Sequence, residues 1–196
     1  MIYDDVLRCI ERYLFRYPNE DIKQVVDLIR SDRTSISRTN SKGHVTVSGV
    51  VFHDDQLLLI FHNKLQRLLQ PGGHLEDSDT SMRKAAEREI YEETGVVPVT
   101  SGLYTSDEPI HVDIHHIPTN EKKGETGHWH YDFLFLFETE NPEVRIDESE
   151  VSGHQWVSLD SVFEDVGLQR VAQKIKHCVH NQSSMMCAHR GWGKHI

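Results

Sequence analysis

Apolar residues recur with a helical period at the start of the chain. Ile2, Val6, Ile10, Leu14 and Phe15 predict a helix over residues 2–16, and Pro18 stops it. Ile22, Val25, Val26 and Ile29 predict a second amphipathic helix from Glu20 to about Arg30. The period then disappears: SDRTSISRTNSKG, residues 31–43, is polar and rich in Ser, Thr and Asn, as a linker or loop is. From His44 the texture is that of strands. HVTVSGVVF reads as a strand, Asp54–Asp55 as a turn and QLLLIFH as its hairpin partner. The loop LLQPGGHLEDSD leads into a helix from about Ser81 to Thr94, with Gly95 as its terminator. Two further strands are expected at about 110–117 and 128–138, joined by IPTNEKKGETG. A last strand near 153–158 precedes a helix at about 159–180 carried by Leu159, Val162, Phe163, Leu168, Val171 and Ile175. The end, NQSSMMCAHRGWGKHI, shows no period and reads as a mobile tail. Two helices, a mixed β/α region and a closing helix suggest an α/β fold of the α/β/α sandwich kind with a mixed sheet. The expected division is an N-terminal helical extension and linker over 1–43, a main domain over 44–180 and a tail over 181–196.

Bulk properties narrow this picture. A chain of 196 residues suits one domain with appendages, and 27% charged against 37% apolar residues suits a soluble globular protein. Its 21 Lys and Arg against 31 Asp and Glu leave a net charge of −10, which argues against a general nucleic-acid binder. Anionic small molecules stay possible, because divalent cations bridge acidic side chains to phosphate. Cys9, Cys178 and Cys187 form no CxxC pair and read as free thiols, so a cytoplasmic setting is the default. The opening MIYDDVLRCIERYLF lacks the basic and apolar regions of a secretory signal, and no apolar run approaches the ~20 residues of a membrane span.

The segment that carries chemistry runs from Gly72-Gly73-His74 to Arg88-Glu89-Ile90-Tyr91-Glu92-Glu93-Thr94-Gly95-Val96. On a helix, Glu89, Glu92 and Glu93 fall within about a 100° arc. Three like charges so close oppose a helix unless a cation sits among them, and a hard divalent ion such as Mg²⁺ prefers carboxylate and phosphate oxygens. Arg88 stands four residues before Glu92, within reach to orient it. Ala85 near the same face is expected to leave room for a ligand, and Gly72–Gly73 to let the backbone turn sharply beside a phosphate. A plain solvated face explains the charges but not the glycines and apolar positions around them.

GGHLEDSDTSMRKAAEREIYEETGV resembles the Nudix box, Gly-x5-Glu-x7-Arg-Glu-apolar-x-Glu-Glu-x-Gly-apolar. Arg88, Glu89, Ile90, Glu92, Glu93, Gly95 and Val96 match throughout. The first half departs: the early Glu position falls on Thr80, and Gly73 lies one residue too far upstream. The loop thus holds one extra residue, with Asp79 or Glu76 as the nearest carboxylate substitute. By element order the likeness extends over about 44–180, including the Trp-bearing strand at His154–Val157, and QPGGHLE and HWHYDF resemble bacterial members of the family. The resemblance implies a Nudix-type sandwich and an enzyme that hydrolyses a small nucleoside diphosphate derivative, water attacking phosphorus with Mg²⁺ or Mn²⁺ bound. It implies Glu89, Glu92 and Glu93 as metal ligands, the Gly73 carbonyl as a further one, and Arg88 as the residue that orients them. The family's base varies between a Glu of the box and a Glu on a distant loop; Glu125 in KKGETGH is the distal candidate, with Glu148 and Glu150 behind it.

A second constellation lies on the later strands. His111, Asp113 and His115 alternate along one and His128, His130 and Asp132 along the other, so each trio shares a sheet face. They could form a second site for Zn²⁺, Mn²⁺ or Fe²⁺, a polar wall for substrate, or a hydrated surface. His74 could face the same pocket, giving His74, His128, His130 and Lys123 as substrate-binding candidates. Lys64, Arg67 and Lys122 are further loop cations, and Tyr104, Trp129 and Tyr131 are possible stacking groups. The N-terminal helices carry no catalytic signature and could cap the core or form a homodimer surface. Two rival readings stand beside the hydrolase. An isopentenyl-diphosphate-type isomerase needs a catalytic Cys, and none lies between Cys9 and Cys178. A nucleotide-binding regulatory module that lost turnover is the other.

Overall fold

The structure is a computed structural model and describes residues 1–63, 65–100, 107–121, 124, 126–164 and 168–178. Helix α1 spans Ile2–Arg16 and α2 spans Lys23–Ser31. The polar segment that follows is not featureless: a 3₁₀ turn, Arg33–Ile36, forms where the Asp32 carboxylate accepts from the Thr34 N–H. Strands β1 (Gly43–His53) and β2 (Gln56–His62) form the expected hairpin, with Asp54 and Asp55 both at positive φ (44° and 63°). That conformation supplies the twist a two-residue hairpin turn needs, and Asp tolerates it.

The hairpin stays paired only at its closed end, through Phe52–Leu57 and His53–Gln56. Beyond that the two strands part, and two short strands fill the gap. β3 (Arg67–Leu69) pairs with β2 and β4 (Gly72–His74) pairs with β1, while the Pro71 carbonyl accepts from the Gly49 N–H. Helix α3 then spans Met82–Thr94. β5 (Val99–Thr100) and β6 (His111–Ile117) both pair with β7 (His128–Glu138), and β8 (Val151–Ser158) pairs with β2. β1 and β7 are parallel and every other pair is antiparallel, so the sheet is mixed. A 3₁₀ turn, Ser161–Glu164, and helix α4, residues 169–178, close the described chain, in place of one continuous helix from 159.

Strand alternation builds the layers. Val45, Val47, Val51, Leu58, Phe133, Phe135 and Phe137 face one core with α1, α2 and α3. Their neighbours Val50, Leu57, Leu59, Leu134 and Leu136 face the other with Val171, Ala172 and Ile175 of α4. A mixed sheet covered by helices on both faces is the α/β/α arrangement expected from the sequence. α1 is part of the first core: Val6, Ile10 and Tyr13 are buried with Ile90 and Phe133.

Candidate active site

Helix α3 is capped at both ends. The Ser81 hydroxyl accepts from the Lys84 N–H at 3.2 Å, and Asp5 of α1 accepts from the Met82 N–H at 2.8 Å. At the far end Gly95, at φ 64°, closes the helix in the left-handed conformation that glycine adopts without strain. Met82, Ala86 and Ile90 are fully buried against the sheet. Ala85 is buried with them, so it packs in the core and leaves no room for a ligand, contrary to expectation.

Glu93 and Glu89, along and beside that buried stripe, meet the Gly72–His74 strand. The Gly72 N–H donates to Glu93 at 2.9 Å, and a Cβ on Gly73 would lie 2.5 Å from Glu89 Oε1. Neither glycine has positive φ, so they serve close approach and not a sharp turn. Burial pushes the Glu89 carboxyl up to about 7, against the pull of Arg88. It pushes Glu93 up to about 8, with Glu89, Glu150 and Asp147 adding to the rise and the Gly72 N–H opposing it. Glu92 is the exposed member of the three.

Arg88 links the cluster to the loop before it. Its Nη1 donates to Glu89 at 2.9 Å and to Glu92 at 3.0 Å, and its Nη2 donates to the His74 carbonyl at 3.0 Å. Nε and Nη2 grip Asp79 at 3.2 and 3.0 Å. Of the two carboxylates weighed for the altered half of the motif, Asp79 makes the paired contact. Glu76 stays 3.9 Å from Arg88 and exposed.

These residues line a cleft of about 1080 Å³. Asp147, Glu150 and Arg67 also line it, as do His111, Asp113, His115, His130 and Asp132 of β6 and β7. β6 and β7 pair antiparallel as the alternation implied, with Asp113 opposite Asp132 and His115 opposite His130. Asp113 accepts from His115 at 2.8 Å, which raises the imidazole's pKa, while Asp132 is buried and accepts from Thr46 and Ser48. His111 turns to Tyr13 and Lys174, and burial lowers it to about 4. The histidine that sequence reasoning missed is His44, at the start of β1. Parallel pairing sets it opposite His130, with its ring 5.0, 4.9 and 4.7 Å from those of His74, His128 and His130. Only the crossover pairing of β1 with β7 brings it there.

Of the stacking candidates, Tyr131 is core, its hydroxyl accepting from Gln24 at 3.1 Å, and Trp129 is partly exposed beside His116. Glu125, Lys122, Lys123, Lys64 and Tyr104 lie outside the described residues, as do 181–196.

A family model, the NUDIX domain, matches residues 42–180. A probable DHNTP pyrophosphohydrolase from Lactococcus lactis subsp. cremoris is 30% identical over 146 residues, 74% of this chain and 84% of that protein. The phosphatase NudJ of Escherichia coli K12 is 30% identical over 141 residues, 69% of this chain and 82% of that one. A hydrolase of the NUDIX family from Clostridium perfringens shares the fold with a TM-score of 0.50 and 22% identity, over 68% of this chain and 96% of that one. The matched span holds the whole carboxylate cluster, both its glycines and the cleft's strands; the chain belongs to the Nudix family of hydrolases.

Proposed function

We propose that the protein is a Mg²⁺-dependent pyrophosphohydrolase that cleaves a phosphoanhydride bond in a small nucleotide derivative. One observation carries this reading: the buried Glu93 and the largely buried Glu89, whose side chain is 13% exposed, sit one helical turn apart and line one wide cleft, where Gly73 packs directly against the Glu89 carboxylate. Burying like charges together is costly without a cation, and an all-oxygen donor set suits a hard divalent ion. Glu89, Glu92, Glu93 and the Gly73 carbonyl would hold it, and Mn²⁺ is the natural substitute. The ion supplies charge neutralisation at phosphate and an acidified attacking water.

The chain's own groups do the rest. Arg88 holds Glu89 and Glu92 in register, and the Gly72 N–H holds Glu93. A carboxylate outside α3 takes the proton of the attacking water. Glu125 is the candidate from sequence, and Glu150, which lines the cleft and bears on both Glu89 and Glu93, is the candidate among the described residues. We assign His74, His128, His130 and Lys123 as contacts to the substrate's phosphates or base. The name of the Lactococcus lactis relative, a probable DHNTP pyrophosphohydrolase, points towards a substrate with a pyrophosphate bond. The buried thiols Cys9 and Cys178, neither in a disulfide, fit a reducing cytoplasm.

The test is an assay with Mg²⁺ against dihydroneopterin triphosphate, ADP-ribose, dinucleoside polyphosphates, NADH and deoxynucleoside triphosphates. Turnover of at least one compound, abolished by Glu93→Gln, is expected. Tight binding without turnover in both Mg²⁺ and Mn²⁺ would instead establish a regulatory module.

A further inference from the structure

We propose that His44, His128 and His130 form a second metal site, distinct from the carboxylate cluster, that takes a late first-row divalent ion such as Zn²⁺. One nitrogen from each of the three rings lies within 4.8 Å of the other two. His44 is 2% exposed, and its Nε2 makes no hydrogen bond. An orphaned buried nitrogen of that kind is costly unless something outside the protein meets it.

The outer nitrogens fix which atoms point inward. His44 Nδ1 lies 3.3 Å from the Asn40 carbonyl and His128 Nδ1 lies 2.9 Å from the Thr126 carbonyl. A carbonyl only accepts, so both Nδ1 atoms carry the proton, and both Nε2 atoms present lone pairs. This is the arrangement by which metal-bound imidazoles are oriented. His128 Nε2 also lies 3.2 Å from His130 Nε2. Two nitrogens at ~2.1 Å from one tetrahedral ion are about 3.4 Å apart, so the observed spacing already matches the edge of such a site.

The donor set sets the class of ion. Three neutral imidazoles with no carboxylate among them suit Zn²⁺, Co²⁺, Ni²⁺ or Cu²⁺ and not Mg²⁺, whose preference is for oxygen. The site would therefore not compete with the Glu89–Glu93 cluster for the same ion. The trio ties the start of β1 to the start of β7, with His74 beside it and His130 lining the cleft. A fourth ligand from water or substrate can reach an ion there from the cleft side.

The test uses the full chain freed of metal with a chelator. Zn²⁺ affinity is measured by competition with a chromophoric chelator, and Co²⁺ is added separately to read the visible bands of a low-coordinate nitrogen site. Four proteins are compared: wild type, His128→Gln, His130→Gln, and the double variant Glu89→Gln/Glu93→Gln. His128 is only partly buried, so its variant should stay folded, and its melting curve checks this. We expect one tight Zn²⁺ equivalent and the Co²⁺ bands in the wild type and in the double variant, with Zn²⁺ affinity at least 10-fold weaker and the bands lost in His128→Gln. His130→Gln should repeat that loss. The proposal is overturned if the wild type binds no tight Zn²⁺, if both histidine variants bind it as the wild type does, or if the double variant loses it. Hydrolysis is not read in any arm, so the outcome is independent of the proposed activity.

Discussion

The guanidinium of Arg88 is held by Asp79 through two hydrogen bonds, and its remaining nitrogen reaches both Glu89 and Glu92. Asp79 is itself fixed in its loop: its carboxylate accepts from the Glu76 N–H and its own N–H donates to the Glu76 carbonyl. The loop that departs from the family pattern by one residue thus still presents a carboxylate to the arginine. Asp79→Ala should lower kcat about 10–100-fold and raise the Mg²⁺ concentration needed for half-maximal rate, as loss of an orienting partner commonly does. Asp79→Glu should restore part of the Mg²⁺ response. An unchanged Mg²⁺ titration in the alanine variant would show that Asp79 serves only the loop.

Gly73 separates metal binding from folding. Added as Ala, its Cβ would come closest to the carboxylate end of Glu89, which can swing aside, so the fold should survive with little change in Tm. Displacing Glu89 should nevertheless cost most of the activity. Gly72→Ala meets the Val47 carbonyl and the backbone of Ser48 instead, and should lose stability as well. Thermal melts and rate assays on the two variants should separate in that order.

Metal-free stability should fall as pH rises. Glu93 is pushed up to about 8 in the folded chain from an ordinary value of 4.5, so between those values the native state keeps a proton that the unfolded state gives up. Stability then decreases with pH across that window. Glu93→Gln should flatten the slope of Tm against pH measured in chelator. Added Mg²⁺ should raise Tm more at pH 8 than at pH 6, since binding displaces that proton. A wild-type slope matched by the variant would remove Glu93 as its source.

Lys174 of α4 donates to Glu20 at 2.6 Å and to the Tyr13 hydroxyl at 3.0 Å, and Tyr13 also bonds Glu20. This group joins α1, the segment before α2 and α4 around the edge of the sheet. Lys174→Met leaves Glu20 without its cation and should cost about 1–3 kcal/mol, seen as a lower denaturation midpoint. The rate per folded molecule should not change. A fall in kcat with an unchanged midpoint would contradict this purely structural role.

Much of the fold was legible because its strongest signals are local. Helical spacing at Ile2–Phe15, the Asp54–Asp55 turn, and Gly95 after Glu92–Glu93 each act within a few residues, where backbone preference and burial agree. The helix-borne carboxylates were legible for the same reason, since a helix brings residues three and four apart onto one side. The short strands β3 and β4 were not, because three residues carry no period; they form only where β1 and β2 part.

By itself, then, the sequence determined the order of long elements, the capped helix and the line of Arg88, Glu89, Glu92 and Glu93 upon it. Only the tertiary structure decided that Asp5 caps that helix, that Asp79 and not Glu76 holds Arg88, and that Glu89 and Glu93 are buried enough to resist ionisation. It also decided that His44 joins His128 and His130, through the parallel pairing of strands 86 residues apart along the chain between Gly43↔Trp129 and Phe52↔Glu138. The physical reason is common to all of these. Desolvation, close approach and ligand convergence depend on which distant segments exclude water together, and no local period encodes that.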